Sequence, residues 1–403
     1  MSKISTETFL RNKFAEYYRS HSEKIIPPAQ CARREFGFIP FREQIMMRHR
    51  SFLSVQQLVE TIQDIAPSHA YYSSAYYERP QEEMDKKGWL GADLIFDIDA
   101  DHLPTVCGLE HRYWICKNCG SVYTKTKSET CKHCGGTKFQ EETWLCENCL
   151  EAAKHETLKL IDFLTTDLGY DKANLEVCFS GHRGYHVHVV DENTSQLDQS
   201  ARREIVDYIY GNGISLENHG FTSIIPSMKS TGWKGRLSRG LYSLLEAPSE
   251  HLLLDGKAIS SYKRLEAHRE KILESLRRGS QLNTPKGVGR KTWEALTDAL
   301  ITEEIARVDT VVTTDIHRLT RLMGSLHGKT GLIVLGVSLN HLEAFYPLRD
   351  AVAFRDGNVK VKVLDVERFK IDGNEYGPFN NSVVELPTAA GILLLCKSLA
   401  ILA

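Results

Sequence analysis

Apolar residues recur at helical spacing over residues 6–18 and 54–65, which predicts helices there, and the segment to about residue 89 reads as mainly helical. It ends in the tyrosine pairs Tyr71-Tyr72 and Tyr76-Tyr77. The period then changes. Over 91–99 apolar and polar positions alternate as in a strand, with Leu94, Phe96 and Ile98 on one face and Asp97 and Asp99 together on the other. Downstream the pattern predicts a helix over 151–168 and strands over 175–179 and 184–190. A charge-rich, largely helical stretch follows over 201–305, broken by the Gly/Lys-rich turn at 285–291; residues 308–314 read as a strand and 330–386 as short strands and loops. The most apolar run, 388–396, is ended by Lys397. A bilayer span takes roughly 20 apolar residues, so a packed helix is expected and no membrane association.

Composition adds limits. The 403 residues are 42% hydrophobic and 25% charged, enough for a real core. The formal charge of −2 means that any nucleic-acid contact must come from a local basic patch. No apolar leader follows Met1, so secretion is not expected. Seven of the 10 cysteines fall between Cys107 and Cys149, and without a secretory context such clustering favours metal over disulfides and an intracellular, reducing compartment.

Cys116, Cys119, Cys131 and Cys134 form two CxxC pairs with zinc-ribbon spacing, each turn bringing two thiolates to one tetrahedral ion. Cys107, His111, Cys146 and Cys149 flank them as a second Cys₃His set. With four protein ligands apiece neither site would keep an open position, so two structural zinc ions are expected.

The strand carboxylates Asp97 and Asp99 repel unless cations neutralise them, the arrangement that two-ion phosphoryl and nucleotidyl transfer uses. DxD alone is common on solvated strand edges; its company lifts it. Ser180-Gly-His-Arg-Gly-Tyr-His186 follows a strand, and its glycines permit a turn that can face phosphate oxygens while Arg183 and His186 add charge and hydrogen bonds. Asp309 lies in the apolar 308–314 segment ahead of Arg321 and the Gly-rich run 324–330. His188 and His317 read as packing or surface residues, and the 285–291 turn as an exposed one.

Through Arg33-Arg-Glu-Phe-Gly-Phe-Ile-Pro-Phe41, the acidic strand, Ser180 to His186 and Ser325-Leu-His-Gly-Lys-Thr-Gly331, the chain resembles the small catalytic subunit of archaeal and eukaryotic DNA primases, the archaeal members above all. The resemblance implies an α/β (α+β) fold: a mixed-sheet catalytic core (1–105, 151–200, 306–403), a zinc-binding insert (106–150: knuckle plus ribbon) and a mainly helical insertion (201–305). It implies Asp97, Asp99 and Asp309 as ligands of catalytic Mg²⁺ or Mn²⁺. Ser180, Arg183, His186, Arg321 and His327 would contact the incoming nucleotide, with Arg34 near the same pocket. Cys107, His111, Cys146 and Cys149 match the family's zinc knuckle. It further implies a single-stranded DNA template, nucleoside triphosphates, a larger primase subunit as partner, and a cytoplasmic place in an archaeal-type cell. A repair-type primase-polymerase and a non-enzymatic zinc-ribbon nucleic-acid adaptor are the alternatives. Two departures stand out: His182 occupies a position where the family commonly has Arg, and the Cys116 to Cys134 ribbon exceeds the family's knuckle.

Overall fold

The computed structural model describes residues 3–41, 45–105, 107, 111–124, 126, 128–215, 224–247, 256–279 and 282–403. In chain order the first elements are α1 (Lys3–Ser20), β1 (Phe36–Ile39), β2 (Met47–Arg50), α2 (Val55–Ile65), β3 (His69–Ser73), β4 (Ala75–Tyr77), β5 (Trp89–Ala92) and β6 (Leu94–Asp99). Then come β7 (Arg112–Cys116), β8 (Val122–Thr124), β9 (Phe139–Thr143), α3 (Glu147–Asp162), β10 (Leu175–Phe179) and β11 (Gly184–Val189). A helical stretch follows with α4 (Gln199–Ile209), β12 (Ile224–Ile225), α5 (Gly232–Glu246), α6 (Gly256–Glu266), α7 (Arg269–Arg278), β13 (Leu282–Asn283) and α8 (Arg290–Glu304). The remainder is α9 (Thr310–Thr314), β14 (Leu319–Arg321), β15 (Leu335–Val337), α10 (Pro347–Asp350), β16 (Asn358–Val363), β17 (Phe369–Ile371), β18 (Asn374–Tyr376), β19 (Ser382–Pro387), α11 (Thr388–Cys396) and β20 (Ala400–Leu402).

The class is α+β. Every pairing between these strands is antiparallel, so the sheets carry none of the parallel pairs that a mixed sheet would have. By packing the chain divides into two compact units. One comprises Met1–His155, Ala173–Ser200 and Val308–Ala403; the other comprises Glu156–Lys172 and Ala201–Arg307. No helix among the described residues is long and apolar enough to cross a membrane.

In the first unit two four-stranded sheets matter for the site, ordered β14-β3-β1-β2 and β15-β10-β11-β6. Phe36 and Phe38 of β1, Leu58 and Ile62 of α2, and Phe14, Tyr17 and Tyr18 of α1 are buried together as the core of the former. α2 starts where the Ser54 side chain accepts from the Gln57 amide at 3.3 Å, satisfying one of the amides that a helix start leaves orphaned. Tyr17 Oη donates to the Gly324 carbonyl at 3.0 Å, and the Leu326 amide donates to Tyr18 Oη at 3.1 Å, so the first helix holds the Gly-rich 324–331 loop in place. The expectation of a mainly helical segment to residue 89 is corrected here, because β1 to β5 all lie within it or end just beyond it. Their aromatic runs, such as Phe36-Gly-Phe-Ile39, are too short for periodicity to separate buried strand from helix.

In β6 the alternation holds: Leu94, Phe96 and Ile98 are buried while Asp97 and Asp99 keep partial exposure. The predicted strand over 308–314 is also corrected. Asp309 is the N-cap of α9, its Oδ1 accepting from the amides of Val311 at 2.9 Å and Val312 at 3.0 Å. Five β-branched residues favour strand locally, but a capping carboxylate and an absent strand partner decide for a helical turn, leaving Val311 exposed. The 388–396 run is a buried helix, α11, as expected.

The second unit is mainly helical. Its buried Arg236 pairs with Asp167 at 2.6 Å and Asp162 at 2.8 Å, and Trp233 Nε1 donates to the Tyr208 carbonyl at 2.8 Å. The 285–291 turn leads into α8, with Gly289 at its N-cap.

Candidate active site

Register assembles the acidic face. In the β6–β11 ladder Asp97 lies opposite His186 and Asp99 opposite Gly184, and the period of two places all four on one face. Gly184 is required there: a Cβ would come within 2.2 Å of the Ile98 carbonyl oxygen. The Ser180–Gly184 turn is held by Ser180 Oγ, which accepts from the amides of Gly184 at 3.3 Å and His182 at 3.4 Å. Gly181 has φ +78° and a Cβ there would sit 2.7 Å from His327 Cβ, so this glycine allows the turn to close against the 324–331 loop.

Between the two sheets opens a cavity of about 200 Å³, lined by Asp97, Asp99, Ser180, His186, Arg321 and His327 together with Tyr71, Ile95, His182, Gly184, Val312, Arg318, Leu319 and Thr320. Its acids and bases sit in low-dielectric surroundings. Burial, and then the charge of Asp309, raise the Asp97 carboxyl to about 6; burial also raises Asp99. Burial and the nearby Arg321 and Arg318 push His186 down to about 3, so its ring is neutral. Thr320 Oγ1 lies 3.2 Å from His186 Nδ1, and His186 Nε2 lies 3.4 Å from Asp97 Oδ1, consistent with an Nε2–H aimed at the carboxylate. Arg321 is lowered by burial; it lies over the Tyr71 ring at 4.8 Å and its Nη1 is 2.8 Å from His69 Nδ1. His69, His182 and His327 are all held neutral, foremost by burial.

Asp309 is beside this cavity rather than in its lining. Its amide donates to the Asp97 carbonyl at 2.7 Å, and its Oδ2 is 4.0 Å from His102 Nδ1, leaving one carboxylate oxygen free of the helix cap. The three carboxylates do not draw together as the cysteine sets do. A repelling acid pair with a third acid's charge on it, raised in spite of Arg318 and Arg321 in the same lining, suits divalent ions, so these residues fit the metals that the resemblance implies.

Two of the expected residues lie outside the cavity's lining. Arg34 does not line the cavity: it is buried, pairs with Asp93 at 2.7 Å, donates to the Ser73 and Ser74 carbonyls at 2.8 Å each, and stacks on Tyr76 at 3.8 Å. Its donors are spent on the protein. Arg183, in the turn before β11, pairs with Asp101 and is not in the cavity's lining, although its charge reaches Asp99. Conversely, Tyr71, Arg318, Thr320 and His69 were not predicted. Tyr71, of the Tyr71-Tyr72 pair, and His69 come from β3 and reach the site only through sheet packing; Arg318 and Thr320 adjoin the predicted Arg321. His188 and His317 pack against Tyr72 and Tyr77.

Both cysteine sets close up. Cys107, His111, Cys146 and Cys149 have their ligand atoms within 4.8 Å of one another, and so do Cys116, Cys119, Cys131 and Cys134. The Cys107–Cys146, Cys107–Cys149 and Cys116–Cys134 sulfur distances of 3.8, 3.7 and 3.7 Å match the edge of a tetrahedron with ~2.3 Å Zn–S bonds, about 3.8 Å. Cys119–Cys131 is tighter at 3.4 Å, and all ten cysteines are free of disulfides. His111 Nε2 is buried without a partner, the state of a nitrogen kept for a metal. Two clusters could therefore hold zinc.

An acid pair on an antiparallel strand, faced by a glycine turn and rimmed by arginine and histidine, marks the candidate site of this α+β protein. Residues 96–339 match the DNA primase small subunit family. The chain is 34% identical to the DNA primase small subunit of Methanococcoides burtonii, over 98% of both chains. It is 36% identical to that of Archaeoglobus fulgidus over 97% of both, and 33% to that of Nitrosopumilus maritimus over 98% of both. The chain belongs to the DNA primase small subunit family.

Proposed function

We propose that this chain is the catalytic subunit of a DNA primase and makes short primers on single-stranded DNA by templated nucleotidyl transfer from nucleoside triphosphates. The observation that carries this reading is the register that sets Asp97 and Asp99 opposite His186 and Gly184, on the wall of a cavity rimmed by Arg321 and His327. Asp97, Asp99 and Asp309 would hold Mg²⁺ or Mn²⁺, which when bound lowers the pKa of an attacking hydroxyl and offsets charge on a leaving pyrophosphate. Arg321, Ser180 and His327 bind and orient the phosphates, and the neutral His186 steadies Asp97 through its Nε2–H. Membership in the family, and relatives named primase small subunits, support the reading, and a larger primase subunit is part of the proposal. The zinc knuckle and ribbon are structural in this scheme, the catalytic core being the 1–105, 151–200 and 306–403 segments.

The test is incorporation of labelled nucleotides on a single-stranded template with Mg²⁺ or Mn²⁺. Asp97→Asn should melt close to the wild type yet lose activity by about a hundredfold or more, the scale of losing one electrostatic element of a transition state. Near-wild-type synthesis by Asp97→Asn would refute the assignment, and a wild type that binds template but adds nothing would favour an adaptor.

A further inference from the structure

Lys397, beyond the end of α11, is buried to 1% exposure. Its Nζ lies 2.9 Å from the Thr143 carbonyl and 2.9 Å from His182 Nε2, and among the described residues no carboxylate pairs with it. The nearest acid, Glu142, is engaged by Lys329 at 3.1 Å. A buried ammonium satisfied only by neutral acceptors is costly, and Arg183 and Lys329 add positive charge around it, with Arg321 acting on His182 beside it. His182 leads from Lys397 to the cavity: its ring stacks on His327 at 4.9 Å and 5°, and both rings line the wall. With Nε2 accepting from Lys397, the remaining Nδ1–H of His182 is a donor of fixed tautomer.

We propose that Lys397 is a positioning residue of the nucleotide site: through His182 it orients a donor and supplies positive charge to the His182/His327 wall, which thereby grips the terminal phosphates of a nucleoside triphosphate. This rests on the nucleotidyl-transfer reading above. It gives a distinct role to a residue far downstream of every cavity residue. Burial, with Arg183 next, holds the Lys397 ammonium down to about 7, so an incoming polyanion would strengthen its charge.

The experiment measures ATP and AMP binding to the full chain by calorimetry in Mg²⁺ buffer, for wild type, Lys397→Met, Lys397→Gln and the double variant His182→Arg/Lys397→Met. Lys397→Gln keeps a hydrogen-bond donor without the charge, so it reports on charge even if Lys397→Met does not fold. ATP affinity should fall about tenfold in both single variants, the scale of one charge-assisted hydrogen bond, while AMP affinity stays within about twofold. An arginine at 182 brings the cation to the wall directly, so the double variant should recover most of the ATP loss, which a merely structural lysine would not permit. An ATP-over-AMP preference unchanged in both single variants, or unrecovered in a folded double variant, overturns the role of Lys397 alone. A wild type without that preference overturns the nucleotidyl-transfer reading and this inference with it.

Discussion

Gly184→Ala tests whether strand register builds the acidic site. The added methyl would lie 2.2 Å from the Ile98 carbonyl oxygen and 3.1 Å from Asp99 Cα, both backbone atoms that no rotamer change can move. Ordinary contact begins near 3.4 Å, so β6 and β11 must separate locally by roughly 1 Å. The ladder pair that opens is Gly184 with Asp99, and with it goes the 3.2 Å bond from the Ala100 amide to the Arg183 carbonyl. Overpacking of this kind costs about 1–3 kcal/mol. The functional loss should exceed the stability loss, because a misplacement of about 1 Å costs on the order of a hundredfold in rate. Thermal unfolding should show a melting temperature lower by a few degrees, and labelled-nucleotide incorporation at saturating nucleotide should fall by about two orders of magnitude. A Gly184→Ala protein that melts and primes like the wild type would refute the argument.

Other consequences can be measured separately. Purified protein should carry close to two zinc ions per chain, and Cys119→Ser should lower this to about one while the other set stays loaded; a wild-type content near zero would refute both clusters. Arg34→Met should destabilise by about 3–5 kcal/mol, because Asp93 loses its buried cationic partner, yet leave the nucleotide affinity of the folded protein unchanged; a weakened affinity would restore Arg34 to the site. For Lys397 the pH dependence has a definite sign. Its folded value of about 7 lies below the ordinary lysine value of 10.5, so between the two the unfolded chain binds more protons and stability rises with pH. The penalty is complete below pH 7 and relieved toward 10.5, with Glu142, Lys329, Arg183, Cys396 and His182 as the facing groups. Lys397→Met should therefore melt above the wild type at about pH 6, with the difference narrowing above pH 7 and closing only toward pH 10.5; a constant offset would contradict the burial of a charge.

Legibility followed the range of the interactions involved. The CxxC spacings are local, since two residues between thiolates suffice to bring them to one ion, and both clusters were readable from the chain. The period of two in β6 likewise announced that Asp97 and Asp99 share a face. The β10–β11 hairpin and the apolar α11 could be read for the same reason, short-range pattern matching the element formed. Aromatic strands in the first ninety residues could not, because runs of four or five residues carry too little periodicity.

By itself, then, the sequence determined the metal-ligand spacings, the acidic strand face and the glycine turn, all of which depend on residues close together along the backbone. Tertiary structure alone decided that Asp309 caps a helix beside Asp97, that Arg34 and Arg183 spend their charge on Asp93 and Asp101, and that Lys397 stands behind His182. Those partners are set by which sheet faces and helix ends pack together, and burial then fixes their charge states; no local pattern encodes either.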